Sequence, residues 1–179
     1  MKVWAKRIWT LPSLVAFRWR LKVLEWRGAD IGELSILSRC EINGSCKRLK
    51  IGSNSFIGRV VLHLHENVEI GNCVVINDGV TLLTASHDVS DEAFESIAKP
   101  IVIGDYAWIC TDAILLPGIK VGRGAVVGAG AVVAKDVPEF AIVVGNPARI
   151  LKKCRVRELR YNPVVLIGCY EAWLGKRYD

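Results

Sequence analysis

Branched aliphatic residues recur at Ile103, Ile109, Leu115, Val121, Val127 and Val133, an unbroken step of six. A small residue often follows, as at Gly104, Gly122, Gly128 and Ala134, and four positions further on stand Ala107, Ala113, Ile119, Ala125, Ala131 and Val137. The same register runs earlier through Ile51-Gly52, Ile57-Gly58, Leu64, Ile70-Gly71, Ile76 and Leu82. A period of six fits neither a helix of 3.6 residues per turn nor a simple alternation of two, so an amphipathic helix and an ordinary meander are both excluded. The pattern describes a coil with flat faces six residues long. One aliphatic side chain per face points to the axis and stacks on its counterpart in the next coil, while Gly, Asn or Asp take the corners. With three faces a coil needs about eighteen residues, so the stretch from Ile31 to Val137 predicts an all-β solenoid of about five coils. Two irregularities break it. Ile57 to Leu64 is a step of seven, which a single-residue bulge would absorb. Between Leu82 and Ile103 a polar excursion, residues 86–100, leaves the pattern, and an excursion from a regular scaffold is where function concentrates.

The charge is as uneven as the pattern. The 179 residues carry 24 Lys plus Arg against 18 Asp plus Glu, a net +6, and 51% of them are hydrophobic, which excludes a disordered chain. Residues 1–27 hold seven basic residues and one acid, residues 28–148 nine against fourteen, and residues 149–179 eight against three. The sequence therefore divides into a basic N-terminal segment, a mildly acidic repeat domain and a basic C-terminal tail, and nothing in it calls for nucleic acid. Residues 1–27 also contain four of the six tryptophans, Trp4, Trp9, Trp19 and Trp26, and the helical spacing of Leu14, Phe17, Leu21 and Leu24 predicts a helix with Pro12 at or before its first turn. Two roles suit it: a cap over the open end of the solenoid, and an interfacial helix peripheral to a membrane. No apolar run reaches the ~20 residues of a bilayer span, and no secretory pattern precedes the repeat, so a cytoplasmic location, or the inner face of the cell membrane, is expected. The six cysteines form no CxxC pair and read as buried thiols in a reducing compartment.

His87 opens the excursion at a position whose side chain points outward, and imidazole is the usual base for a hydroxyl or amine near neutral pH. An ordinary solvent-exposed loop histidine is the alternative. The run Ser86-His87-Asp88, with Phe94, Pro100-Ile101-Val102-Ile103-Gly104-Asp105, Trp108, Leu116-Pro117-Gly118, Val127-Gly128-Ala129-Gly130-Ala131-Val132-Val133, Lys135-Asp136-Val137-Pro138 and Gly145-Asn146-Pro147-Ala148-Arg149, resembles the hexapeptide-repeat acyltransferases. Within them it is most similar to the sugar O-acetyltransferase branch, including enzymes of colanic acid and exopolysaccharide biosynthesis. The resemblance covers about residues 28–152.

That resemblance implies a left-handed parallel β-helix, a homotrimer with active sites between subunits, acetyl-CoA as co-substrate, no metal, and direct acetyl transfer to a sugar, sugar-nucleotide or lipid-linked acceptor. It implies His87 as general base, Trp108, Gly128 and Ala129 along the acetyl-CoA groove, and Lys135 and Arg149 at its phosphates. Arg149, Lys152, Lys153, Arg155, Arg157 and Arg160 are further expected to form the basic face of a C-terminal helix. The stretch Arg59–Glu66 lacks the asparagine that maltose and galactoside acetyltransferases often place before the histidine. Amino-sugar N-acetyltransferases and serine acetyltransferases share the fold, although the latter carry a longer N-terminal helical domain. A zinc site of the γ-carbonic-anhydrase kind would need His63, His65 and His87 together, and their spacing places His87 one coil plus one face beyond His63. A non-catalytic scaffold is the remaining reading, against which the Ser86-His87-Asp88 run and the Lys135/Arg149 pair stand.

Overall fold

The computed structural model describes residues 2–174. Three parallel sheets form the faces of a solenoid with five complete coils and the start of a sixth. On the first face Ile31, Ile51, Ile70, Ile103 and Val121 pair in register, and Val137 bridges beyond them. On the second face Leu37, Ile57, Ile76, Ile109, Val127 and Val143 do the same. The third face aligns Ile42, Leu62, Leu82, Leu115 and Val133. Nearly all of these side chains are buried, and they form one continuous core with Val68 on the first face and the corner residues Ala107, Ala113, Ala125 and Ala131. The column is the hexad pattern wound into space, with each aliphatic residue covered by the coils on either side.

The seven-residue step is not a bulge. Leu62, not Leu64, continues the column on the third face, whose strands in the first two coils run four residues, Glu41–Gly44 and Val61–Leu64. The surplus lies in these longer strands and in the corners after them, where Cys46–Arg48 forms a 3-10 turn. Wider early coils can hold larger residues: the coil repeat falls from 20 residues (Ile31 to Ile51) to 18 (Ile103 to Val121). At the corner between the first and second faces, Leu34, Asn54, Cys73, Tyr106, Gly124 and Phe140 all adopt positive φ, so every coil turns there through a left-handed residue. Beside that corner a Cβ on Gly52 would sit 2.7 Å from backbone and side-chain atoms of the next coil, which is why only hydrogen fits. Ser35 and Ser55 are buried at the same corner, and the Ser55 hydroxyl donates to the Gly71 carbonyl at 2.8 Å while accepting from Val74 N–H.

Both ends are covered. Helix α1 (Lys2–Trp26) places Leu21 and Leu24 in the solenoid core and packs Leu14 and Phe17 against Ile36, Val164, Cys169 and Tyr170. Pro12 lies inside this helix rather than at its start. The turn before it is held from outside, by the Lys6–Glu171 ion pair at 2.6 Å and by Arg7 Nε donating to the Ala172 carbonyl at 2.9 Å, so tertiary contacts override the break that proline would cause in isolation. At the other end Arg149–Cys154 forms a strand antiparallel to Ala141–Val144. The expected basic helix is therefore a strand followed by an extended strap. Its pairing partner is the otherwise open edge of the last coil, and edge pairing outweighs helix propensity there. Arg155 Nη1 donates to the Tyr106 carbonyl at 2.8 Å, and Asn162 Nδ2 to Asn54 Oδ1 at 2.8 Å, so the chain returns along the left-handed corner to the first coil. There a short helix, α2 (Gly168–Leu174), packs on α1. The last five residues of the expected tail lie outside the described residues.

Ile76 is fully buried between Ile57 and Ile109. Ile76→Ala is expected to lower the unfolding free energy by about 2–5 kcal/mol, read from denaturant melts, with circular dichroism of the native state unchanged.

Candidate active site

The excursion after the third coil is a β-hairpin. The strand Thr81–Leu83 runs on through Thr84 into Ala85–His87, which pairs antiparallel with Ser96–Ala98. Thr84 is fully buried, and its hydroxyl donates to the His63 carbonyl while accepting from His65 N–H and Glu66 N–H, both at 3.0 Å. That fastens the overshooting strand to the second coil's corner. At the hairpin tip the Asp91 carboxylate accepts from Ala93 N–H and Glu95 N–H, and Phe94 takes φ +51°. Those turns bring the Phe94 carbonyl to His87.

His87 Nδ1 lies 2.8 Å from that carbonyl, and the imidazole stacks on the Phe94 ring with centroids 4.2 Å apart and planes 3° from parallel. A carbonyl only accepts, so Nδ1 donates, and in the neutral ring the lone pair is on Nε2. Phe94 thus fixes both tautomer and ring plane. Sequence reasoning placed His87 without this partner, because a contact across seven residues depends on the turn geometry.

His87 lines a groove of about 370 Å³ with His63, His65, Leu83, Ser86 and Ser96. The three histidines, separated in sequence by one coil plus one face, meet in this groove because the strand continues past Leu83 and carries His87 alongside the second coil. His63 and His65 stack with centroids 6.4 Å apart. Among the described residues no three His, Cys, Asp or Glu side chains form a group that could hold a metal ion.

The other predicted residues lie elsewhere. Trp108 is on the second face, partly exposed, and its indole N–H donates to Asn77 Oδ1 at 2.8 Å, a partner that the sequence reading missed. Gly128, Ala129 and Gly130 form the next corner, where Ala129 and Gly130 are exposed and nothing stands within 4 Å of a Cβ on Gly130. A Cβ on Gly128 would instead meet the Val144 side chain at 2.7 Å, so the open part of this corner is Ala129 and Gly130. Lys135 and Arg149 come together, lining a second groove of about 430 Å³ with Asp136, Val143, Ala148 and Ile150. The histidine groove sits at the corner opposite the face that carries Trp108, so a single chain does not bring His87 and Trp108 into one site.

Among the described residues no thiol lines the histidine groove. Burial pushes the Cys40 thiol up to about 11 and raises those of Cys73, Cys110 and Cys169.

Parallel sheets wound on three faces thus carry a hairpin-borne histidine at one corner and a separate cationic groove at the last coil. A family model described as bacterial transferase hexapeptide (six repeats) matches residues 100–135. WcaF of Escherichia coli (strain K12), named as a colanic acid biosynthesis acetyltransferase, is 35% identical over 141 residues, covering 78% of this chain and 77% of its own. A hexapeptide-repeat-containing acetyltransferase of Vibrio cholerae O1 biovar eltor, solved with acetyl-coenzyme A, superimposes with a TM-score of 0.71 at 32% identity over 76% of this chain and 77% of its own. A galactoside acetyltransferase solved with coenzyme A gives 0.69 at 25% identity, over 84% and 82%. The chain belongs to the hexapeptide-repeat acetyltransferase family.

Cys154 is exposed on the last strand, whereas Cys40 is held protonated well above neutral pH. At pH 8 iodoacetamide is expected to alkylate Cys154 and leave Cys40 unmodified in the folded protein, with both modified after denaturation, as read by peptide mass spectrometry.

Proposed function

We propose that this protein is an acetyl-CoA-dependent O-acetyltransferase that acts on a hydroxyl of a sugar, a sugar nucleotide or a lipid-linked saccharide in surface polysaccharide synthesis. The observation that carries the reading is the pinned His87 imidazole, with Nδ1 bonded to Phe94 and Nε2 left as a base in an open groove. Nε2 takes the proton of the acceptor hydroxyl as its oxygen attacks the thioester carbonyl. The C–S bond then breaks, and the imidazolium returns the proton to the departing CoA sulfur. Transfer is direct, and the lining of the histidine groove, which holds no thiol among the described residues, supports it.

The solved relative with acetyl-coenzyme A supports the same co-substrate here. CoA carries a pyrophosphate and a 3′-phosphate, and the groove shared by Lys135 and Arg149 offers a point charge and a bidentate fork for them. The corner at Gly128 and Ala129, open to solvent at Ala129 and Gly130, and the indole of Trp108 would lie along the pantetheine. Because these groups and His87 occupy opposite sides of one chain, a complete site needs a second copy, and a homotrimer in which each groove meets a neighbour's second face satisfies that requirement. Residues 1–27 belong to the same reading as a peripheral membrane contact at the cytoplasmic surface, where a lipid-linked acceptor would be met.

His87→Ala is expected to lower kcat by about 10²–10⁴-fold with little change in KM for acetyl-CoA, followed by chromatographic release of CoA over a panel of hydroxyl and amine acceptors. An unchanged kcat removes His87 from the chemistry. Light scattering of the purified protein is expected to give three times the 19.8 kDa chain mass, and a monomer that turns over acetyl-CoA would overturn the shared site.

A further inference from the structure

Helix α1 is apolar on two opposite faces, and the fold covers only one of them. Leu14, Phe17, Leu21 and Leu24 pack against the first coil and α2. Trp4, Ile8, Leu11, Val15, Trp19 and Trp26 follow one another at helical steps of three, four or seven, which gathers them within about a third of the helix circumference, on the side away from that packing. All six are exposed, Trp26 at 73%, Ile8 at 70% and Trp4 at 63% among them. Trp9, at 86%, stands on the shoulder of the stripe, where a shallow apolar depression forms between Ala5, Ile8 and Pro12. An uncovered stripe along a helix of 25 residues is far more apolar surface than scattered exposed residues produce.

We propose that this outer face of α1 is a membrane-docking surface that lies in the plane of an anionic lipid leaflet. Charge selects the occupant. Arg18 is exposed beside the stripe, Arg27 is exposed just past the helix end, Lys22 lies within the stripe beside its partner Glu25, and residues 1–27 carry a net +6. A second copy of the helix would bring +6 against +6, whereas an anionic surface is complementary to it. Tryptophan suits the headgroup layer, with an apolar ring and one N–H donor, and the four α1 tryptophans are 60% to 86% exposed. The helix cannot cross the bilayer, since no helix among the described residues is long and apolar enough to do so. With Leu14, Phe17, Leu21 and Leu24 anchored, docking would hold the first coil against the lipid and orient the solenoid from that end. In a trimer three such helices would act together and raise the apparent affinity above that of one chain.

This inference sharpens the peripheral contact in the functional reading, yet stands on the helix alone, because lipid binding needs neither acetyl-CoA nor His87. The test is cosedimentation of the full chain with vesicles of phosphatidylcholine and phosphatidylglycerol, and of phosphatidylcholine alone, for the natural sequence and for Ile8→Glu combined with Val15→Glu. Both positions are exposed, so the variant is expected to keep the native circular dichroism and light-scattering mass. The expected result is pelleting with the anionic vesicles, weakening as salt rises and much weaker on neutral lipid, with a loss of at least ~10-fold in partitioning for the variant and a blue shift of tryptophan emission only in the natural chain. Equal pelleting of the two proteins, or no pelleting of either, would overturn the proposal. A drop in oligomeric mass of the variant without lipid would overturn it too, by assigning the face to another copy of this chain. Loss of activity in His87→Ala with vesicle binding intact would leave the two readings separately judged.

Discussion

Register between successive coils is the constraint on which the rest of the structure depends. Each face contributes one aliphatic residue per coil to a column, and parallel pairing holds Ile57, Ile76, Ile109 and Val127 directly above one another. A one-residue slip on any face would turn the column outward, because strand side chains alternate. The column therefore fixes where every corner falls, and the corners fix which side chains project. Left-handed residues at the first corner and the close approach at Gly52 are consequences of keeping coils stacked while the chain turns sharply.

Departures from the register are where the molecule acquires its special parts. A strand that should end at Leu83 continues through the buried Thr84 and projects the hairpin that carries His87. After the last coil the chain reverses into an antiparallel strand that covers the open edge, then runs back along the left-handed corner to meet α1 through α2. Helices α1 and α2 thus meet at the first coil, and α1 gains the external support that lets it pass through Pro12 unbroken. Support of one helix face leaves the opposite one free for another surface.

Most of the scaffold was legible. Ile103 to Val133 at strict steps of six described the six-residue faces, and the Gly, Asn and Asp residues between them marked the corners. The early coils were harder to read, because their longer third-face strands move the column residue from Leu64 to Leu62, and nothing local distinguishes the two leucines. Within the site, His87 and the Lys135/Arg149 pair were visible as residue types in a motif. Phe94 as the partner of His87, Asn77 as the partner of Trp108, and the convergence of His63 and His65 on the same groove were not, since each contact spans a turn or a coil.

The sequence by itself determined the solenoid, the position of the excursion and the chemistry of its ends, because periodicity and charge are properties of the chain read one residue after another. Tertiary structure alone decided which apolar stripe of α1 is core and which faces outward, that the basic run from Arg149 to Arg160 is a strand and a strap with the helix only later, at Gly168–Leu174, and that the His87 imidazole presents Nε2. Those outcomes depend on partners distant in sequence, such as Ile36 and α2 for the helix and the edge of the last coil for the tail, and no local pattern encodes a partner that only the completed coil brings near.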